Sequence, residues 1–171
     1  MKKILFITLI FSNLIFSQNI DFEGFMNFSY SKNLGKIYLE VNNLDKEFLY
    51  INSLSRGIGN NDLGLDRGQL GNTRIVFFTK RGNKILMVQP NTRYVSNSDN
   101  YLENKAVEEA FARSVLFSFE IIEEKNNNYI IDLAPLLIND AHGVAQRLKY
   151  SNSGNYSLNK SMSAIELDRT K

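Results

Sequence analysis

The chain has 171 residues, enough for one domain with a single core, and no cysteine, so no disulfide can staple it. Lys and Arg number 20 against 18 Asp and Glu, and setting aside Lys2 and Lys3 of a leader-like segment leaves 18 against 18. That balance excludes the basic footprint of a nucleic-acid-binding domain. Twelve Phe and eight Tyr with no Trp suit a pleated sheet surface more than a helical bundle.

Residues 1–17 have the pattern of a secretory signal peptide. Met1-Lys2-Lys3 is a positive start, residues 4–16 are mostly apolar, and Ser17 is a small residue at a plausible cleavage point. The apolar run is too short and too interrupted to span a bilayer. The expected mature chain, about 154 residues from position 18 onward, is therefore exported, to the periplasm or beyond the cell, with no membrane span.

Phe22, Gly24, Met26, Phe28 and Tyr30 fall on alternate positions and predict a half-buried strand. Residues 36–41 repeat the alternation, and Leu34-Gly35 predicts the turn between them. Phe48-Leu49-Tyr50-Ile51 is a continuous apolar run, which predicts a strand covered on both faces. Ile75-Val76-Phe77-Phe78 and Ile85-Leu86-Met87-Val88 are two more strands, joined by a loop whose Gly82 can supply positive φ. Pro90 ends the second.

Residues 100–114 change period and predict a helix. Val107, Ala110, Phe111 and Ser114 share one face, Asn100 caps the start, and Glu109 with Arg113 predicts an i,i+4 pair. Alternation resumes at Phe117, Phe119 and Ile121, turns at Asn126-Asn127-Asn128, and returns through Tyr129, Ile131 and Leu133. Glu120, Glu123 and Glu124 read as a solvated sheet edge. Pro135 opens a short irregular or helical segment, Val144-Ala145-Gln146-Arg147-Leu148-Lys149 predicts a helical turn, and 156–158 and 164–167 predict weak strands. The fold expected is mainly β (α+β): an antiparallel sandwich-like or curved sheet with one clear helix near 100–114, in one domain over 18–171.

Chemistry is sparse. The segment 55–72 contains five of the ten glycines and the charged residues Arg56, Asp62, Asp66 and Arg67, with Gln69 beside them. It fails the phosphate-loop spacing, because Leu65 stands where lysine is required, and the dinucleotide spacing, because Asp62 replaces the third glycine. It lacks the alternating oxygen ligands of a calcium loop. It reads either as a docking or binding loop, or as a connection whose Asp and Arg side chains bond each other or the backbone. His142 is the only histidine, and one histidine without cysteine cannot make a usual zinc set. No nucleophile elbow is present. No catalytic residue, metal ligand or cofactor is assigned to this chain.

The run Glu47-Phe48-Leu49-Tyr50-Ile51-Asn52-Ser53-Leu54 leads into Gly57-Ile58-Gly59-Asn60-Asn61-Asp62 and Gly64-Leu65-Asp66-Arg67-Gly68-Gln69. Together with Val107-Glu108-Glu109-Ala110-Phe111-Ala112 and Asp140-Ala141-His142-Gly143-Val144-Ala145-Gln146, it resembles an N-terminal domain of unknown function in exported, metzincin-like zinc-dependent bacterial metalloproteases. The resemblance covers nearly all of 20–171, and Gly64-Leu65-Asp66-Arg67-Gly68-Gln69 is its most specific part. It implies a longer parent protein whose zinc is held by H-E-x-x-H-x-x-G-x-x-H far downstream, a motif missing here. The chain is then expected to be an inactive accessory part, interrupted at Lys171. It would pack against a catalytic metallopeptidase domain through Arg56, Asp62, Asp66, Arg67, Gln69 and His142. The alternative is a free-standing exported β-domain that binds a surface glycan or protein through exposed aromatics such as Tyr94 and Tyr101.

Overall fold

The computed structural model describes residues 19–167. The expected leader lies outside the described residues. The described chain forms one antiparallel sheet of eight strands curled into a half-barrel, with three α-helices. The strands are β1 (Asn19–Phe22), β2 (Phe28–Ser31), β3 (Lys36–Val41), β4 (Phe48–Tyr50), β5 (Arg74–Arg81), β6 (Lys84–Gln89), β7 (Ser114–Lys125) and β8 (Asn128–Asp132). The helices are α1 (Tyr101–Ala110), α2 (Ala134–Leu137) and α3 (Val144–Tyr150). Across the sheet the order is β1-β2-β3-β8-β7-β6-β5-β4.

This order explains the curl. Strands β3 and β4 are joined by residues 42–47 but lie five places apart in the sheet. Spanning five gaps of a flat sheet needs about 24 Å, nearly the full reach of so short a link. The sheet bends instead, and the link closes across the gap, where Asp45 N–H donates to Phe78 O at 2.7 Å. Leu39, Val41, Val76, Phe78, Ile85, Met87, Phe119, Tyr129 and Ile131 fill the concave side as one core. Tilted and edge-on rings run through it from Phe48 to Phe78 (5.3 Å) and Phe78 to Phe119 (6.3 Å), geometries that favour aromatic packing. On the surface, Lys80 Nζ bonds Glu124 at 2.6 Å and lies 4.9 Å from the Tyr129 ring centre.

The hairpin turns follow local chemistry. Asn126 and Asn127 take φ of 50° and 64° between β7 and β8, a conformation asparagine tolerates, and Gly82 takes 60° between β5 and β6. Asn100 caps α1 by accepting from Leu102 N–H at 2.9 Å.

Several expectations need correction. The predicted first strand is a hairpin: β1 pairs with β2, Phe22 facing Phe28, around a bend over 23–27. Period-2 alternation survives such a bend, so it hides it. Strand β4 is an edge rather than a doubly covered strand, and Leu49 is 70% exposed. Strand β7 lies inside the sheet, so its glutamates mark no edge. The predicted helix ends at Ala110, and the charge pairing is Glu108–Arg113 (2.7 Å) and Lys105–Glu109 (3.7 Å), not Glu109–Arg113. No strand forms over 156–158 or 164–167; a 3-10 turn, Lys160–Met162, lies there instead.

Candidate functional site

The chain leaves β4 at Tyr50, makes the long glycine-rich excursion, and re-enters the sheet at Arg74 of β5. The excursion is an ordered tongue. Its two arms are tied by Gly71 N–H to Asn52 O (2.8 Å), Leu54 N–H to Gln69 O (2.8 Å), Gly68 N–H to Leu54 O (2.7 Å) and Ile58 N–H to Leu65 O (3.3 Å). Glycine lets those arms approach closely. A Cβ at Gly57 would press on Leu65 O at 3.3 Å, and one at Gly71 would collide with the Asn52 side chain.

Two leucines anchor the tongue. Leu63 and Leu65 are 6% and 1% exposed and lie outside the main core. Helix α3 sits over them: Arg147 Nη1 donates to Leu63 O at 2.9 Å. The segment between α2 and α3 supplies a second tie, since Asn52 Nδ2 lies 3.1 Å from His142 Nε2. An amide nitrogen only donates, so Nε2 accepts here. Asp140 holds this segment by taking Val144 N–H at 2.7 Å and Ala145 N–H at 2.9 Å, which satisfies two free amides at the start of α3.

The tertiary structure joins the His142 segment to the tongue through Asn52 and, from α3, through Arg147, neither of which the sequence singled out. Arg56, Asp62, Asp66, Arg67 and Gln69 are all exposed. Among the described residues the side chains of Arg56, Asp62, Asp66 and Arg67 make no hydrogen bond or ion pair, so they do not staple the loop to itself. The signal for Arg147 was present in the helical spacing of 144–149; the signal for Asn52 was not, because an asparagine after a strand is commonplace.

Below the tongue the half-barrel opens into a cavity of about 240 Å³ between Tyr50, Arg74 and Phe117, with Asn52, Asn72 and Asn139 at its rim. Arg74 Nη1 donates to Gln89 Oε1 at 2.7 Å. Burial pushes the Tyr50 hydroxyl above its ordinary value, and the Arg74 charge only partly opposes this, so it remains an O–H donor at neutral pH. Among the described residues no three acidic or histidine side chains converge as a metal-ligand set, and no helix is long and apolar enough to cross a membrane.

Tyr94 and Tyr101, the aromatics singled out from the sequence, are both exposed. Tyr94 stacks on Phe111 at 4.1 Å, so one of its faces is taken, while Tyr101 is 72% exposed at the start of α1.

One family matches the chain: the domain of unknown function DUF5117, over residues 68–171. The chain belongs to this family. The DUF5117 match begins on the returning arm of the tongue, at Gly68, and takes in β5, β6, β7 and β8, which are adjacent in the sheet, with all three helices. Strands β1 to β4 and the outward arm of the tongue precede it. No curated protein and no solved structure matches the chain.

Proposed function

We propose that this DUF5117 chain is a non-catalytic accessory part of an exported zinc-dependent metallopeptidase, and that the tongue is the surface that packs on the catalytic domain. One observation carries the reading: an ordered backbone, anchored by Leu63 and Leu65, displays Arg56, Asp62, Asp66 and Arg67 without any partner among the described residues. A loop held this firmly has already lost most of its conformational entropy, so a partner that pairs those charges is spared the cost of ordering it. The resemblance of the tongue and the His142 segment to metzincin-like proteases supplies the partner's identity. In this reading zinc is held by the partner domain and by no residue of this chain.

The coding DNA beyond codon 171, and the adjacent frames, are expected to carry H-E-x-x-H-x-x-G-x-x-H. The encoded domain should bind the purified chain, and exchanging the charges at Asp66 and Arg67 (Asp66→Arg with Arg67→Asp) should weaken that binding while leaving the fold intact. A locus without the motif, or chelator-sensitive proteolysis by the chain alone, would overturn the reading.

A further inference from the structure

We infer that the cavity at the open mouth of the half-barrel, between Tyr50, Arg74 and Phe117, is a binding site for a single neutral sugar ring. The inference goes beyond the accessory role and holds whether or not the tongue packs on another domain.

Position comes first. The mouth of a curled sheet is a common place for a small-molecule site, because the strands supply rigid walls and the loops a rim. Here Tyr50 ends β4 and Arg74 begins β5, directly opposite each other in register, and Phe117 lies on β7. The core packs beneath: Tyr50 and Phe117 both rest against it. The segment that carries Asn139 and Asp140 crosses above, fixed by Asp140 at the start of α3 and by His142 on Asn52.

Charge comes second. The walls carry one cation, Arg74, and one anion, Asp140. Arg74 would repel a cationic ligand and Asp140 an anionic one, so neither ion gains. Both Asp140 oxygens already accept from the backbone of α3. Arg74 spends one nitrogen on Gln89 and retains further N–H groups in its fork.

Hydrogen-bonding capacity comes third. Tyr50 offers an O–H, Arg74 its remaining N–H groups, and Asn72 an amide with no partner among the described residues. Asn139 donates through Nδ2 to Leu136 O, which leaves its Oδ1 as an acceptor, while Asn52 is engaged with His142 and lies against Gly71. A rim that both donates and accepts fits hydroxyl groups, which do both. Phe117 and Leu116 give the apolar wall that the C–H face of a sugar requires. At about 240 Å³ the cavity lies below the range of drug-sized pockets, about 300–1,000 Å³, and matches the size of one sugar ring.

The test is a titration of the ¹⁵N-labelled purified chain with glucose, galactose, mannose and N-acetylglucosamine, their methyl glycosides, and, as charged probes, glycine and inorganic phosphate. One sugar stereoisomer should shift the side-chain amide signals of Asn52, Asn72 and Asn139 while the α1 amides stay in place. Tyr50→Phe and Asn72→Ala each remove one partner and should weaken that sugar roughly three- to tenfold with the remaining spectrum unchanged. A methyl glycoside that binds as well as the free sugar identifies the end unit of a glycan, and one that does not identifies a free monosaccharide; both support the site. The inference is overturned if no sugar moves these signals, if glycine or phosphate moves them and sugars do not, or if both variants bind as the parent does.

Discussion

His142 Nε2 and Asn52 Nδ2 lie 3.1 Å apart across 90 residues of sequence. This contact fastens the segment before α3 to the root of the tongue, and the Gly71 backbone lies against the same asparagine. A neutral half-buried hydrogen bond of this kind contributes about 1 kcal/mol. In a double-mutant cycle of Asn52→Ala and His142→Ala, urea unfolding should report a coupling of about 0.5–1.5 kcal/mol. Strict additivity would mean the two side chains do not hold each other.

Gly71 is a sharper probe of the same corner. A methyl group there needs the space of the Asn52 side chain. Gly71→Ala should therefore cost about 1–3 kcal/mol by overpacking. In an Asn52→Ala background the space is free, and the same substitution should be close to neutral. Equal losses in both backgrounds would place the strain elsewhere.

The tongue separates anchoring from display. Leu65 is 1% exposed, and Leu65→Ala should lose about 2–5 kcal/mol through transfer and cavity terms. Arg67 is exposed and among the described residues its side chain makes no hydrogen bond or ion pair, so Arg67→Ala should change stability by no more than about 0.5 kcal/mol. A large loss at Arg67, read from the urea midpoint, would show that the tongue depends on its charges after all.

Helix α1 buries no side chain. An isolated helix of ten residues is marginal in water, so α1 depends on its Asn100 cap and its ion pairs. Its amides should exchange by local opening, at rates nearly independent of denaturant, while those of β6 and β7 exchange only by global unfolding. Asn100→Ala should speed α1 exchange several-fold, by about 1 kcal/mol of cap energy, and leave the global midpoint in place. A shared exchange rate for α1 and β7 would show that the helix is packed.

Stability should fall at alkaline pH. The hydrogen bond to Asp132 and the charge of that carboxylate raise Lys36 above its ordinary value of 10.5, against an opposing desolvation. Burial raises Tyr50 above its ordinary 10.0, against the opposing Arg74 charge. Both folded-state values exceed the unfolded ones, so the stabilisation is complete while both states hold these protons. As pH rises the unfolded chain releases them first, and the contribution is lost through the folded values. Urea midpoints should drop as pH rises above about 10, and Tyr50→Phe should flatten part of that slope. A midpoint that rises over this interval would contradict both shifts.

What could be read from the chain alone was local. Alternation of apolar residues places β3, β7 and β8, continuous apolar runs place β5 and β6, and Asn100, Gly82 and Asn126-Asn127 place a cap and two turns, because each depends on neighbours within a few positions. The rest was decided at long range. Whether Leu49 is covered depends on β4 falling at the sheet edge, and that follows from the order of eight strands, which no local pattern encodes. Leu63 and Leu65 look like any other loop leucines until Arg147 closes over them. The mouth cavity gathers Tyr50, Arg74, Phe117 and Asn139 from β4, β5, β7 and the segment before α3, which only the tertiary fold brings together. Side chains distant in sequence become a site only once the backbone has paid the entropy of closing those loops, and that balance is struck by the whole fold.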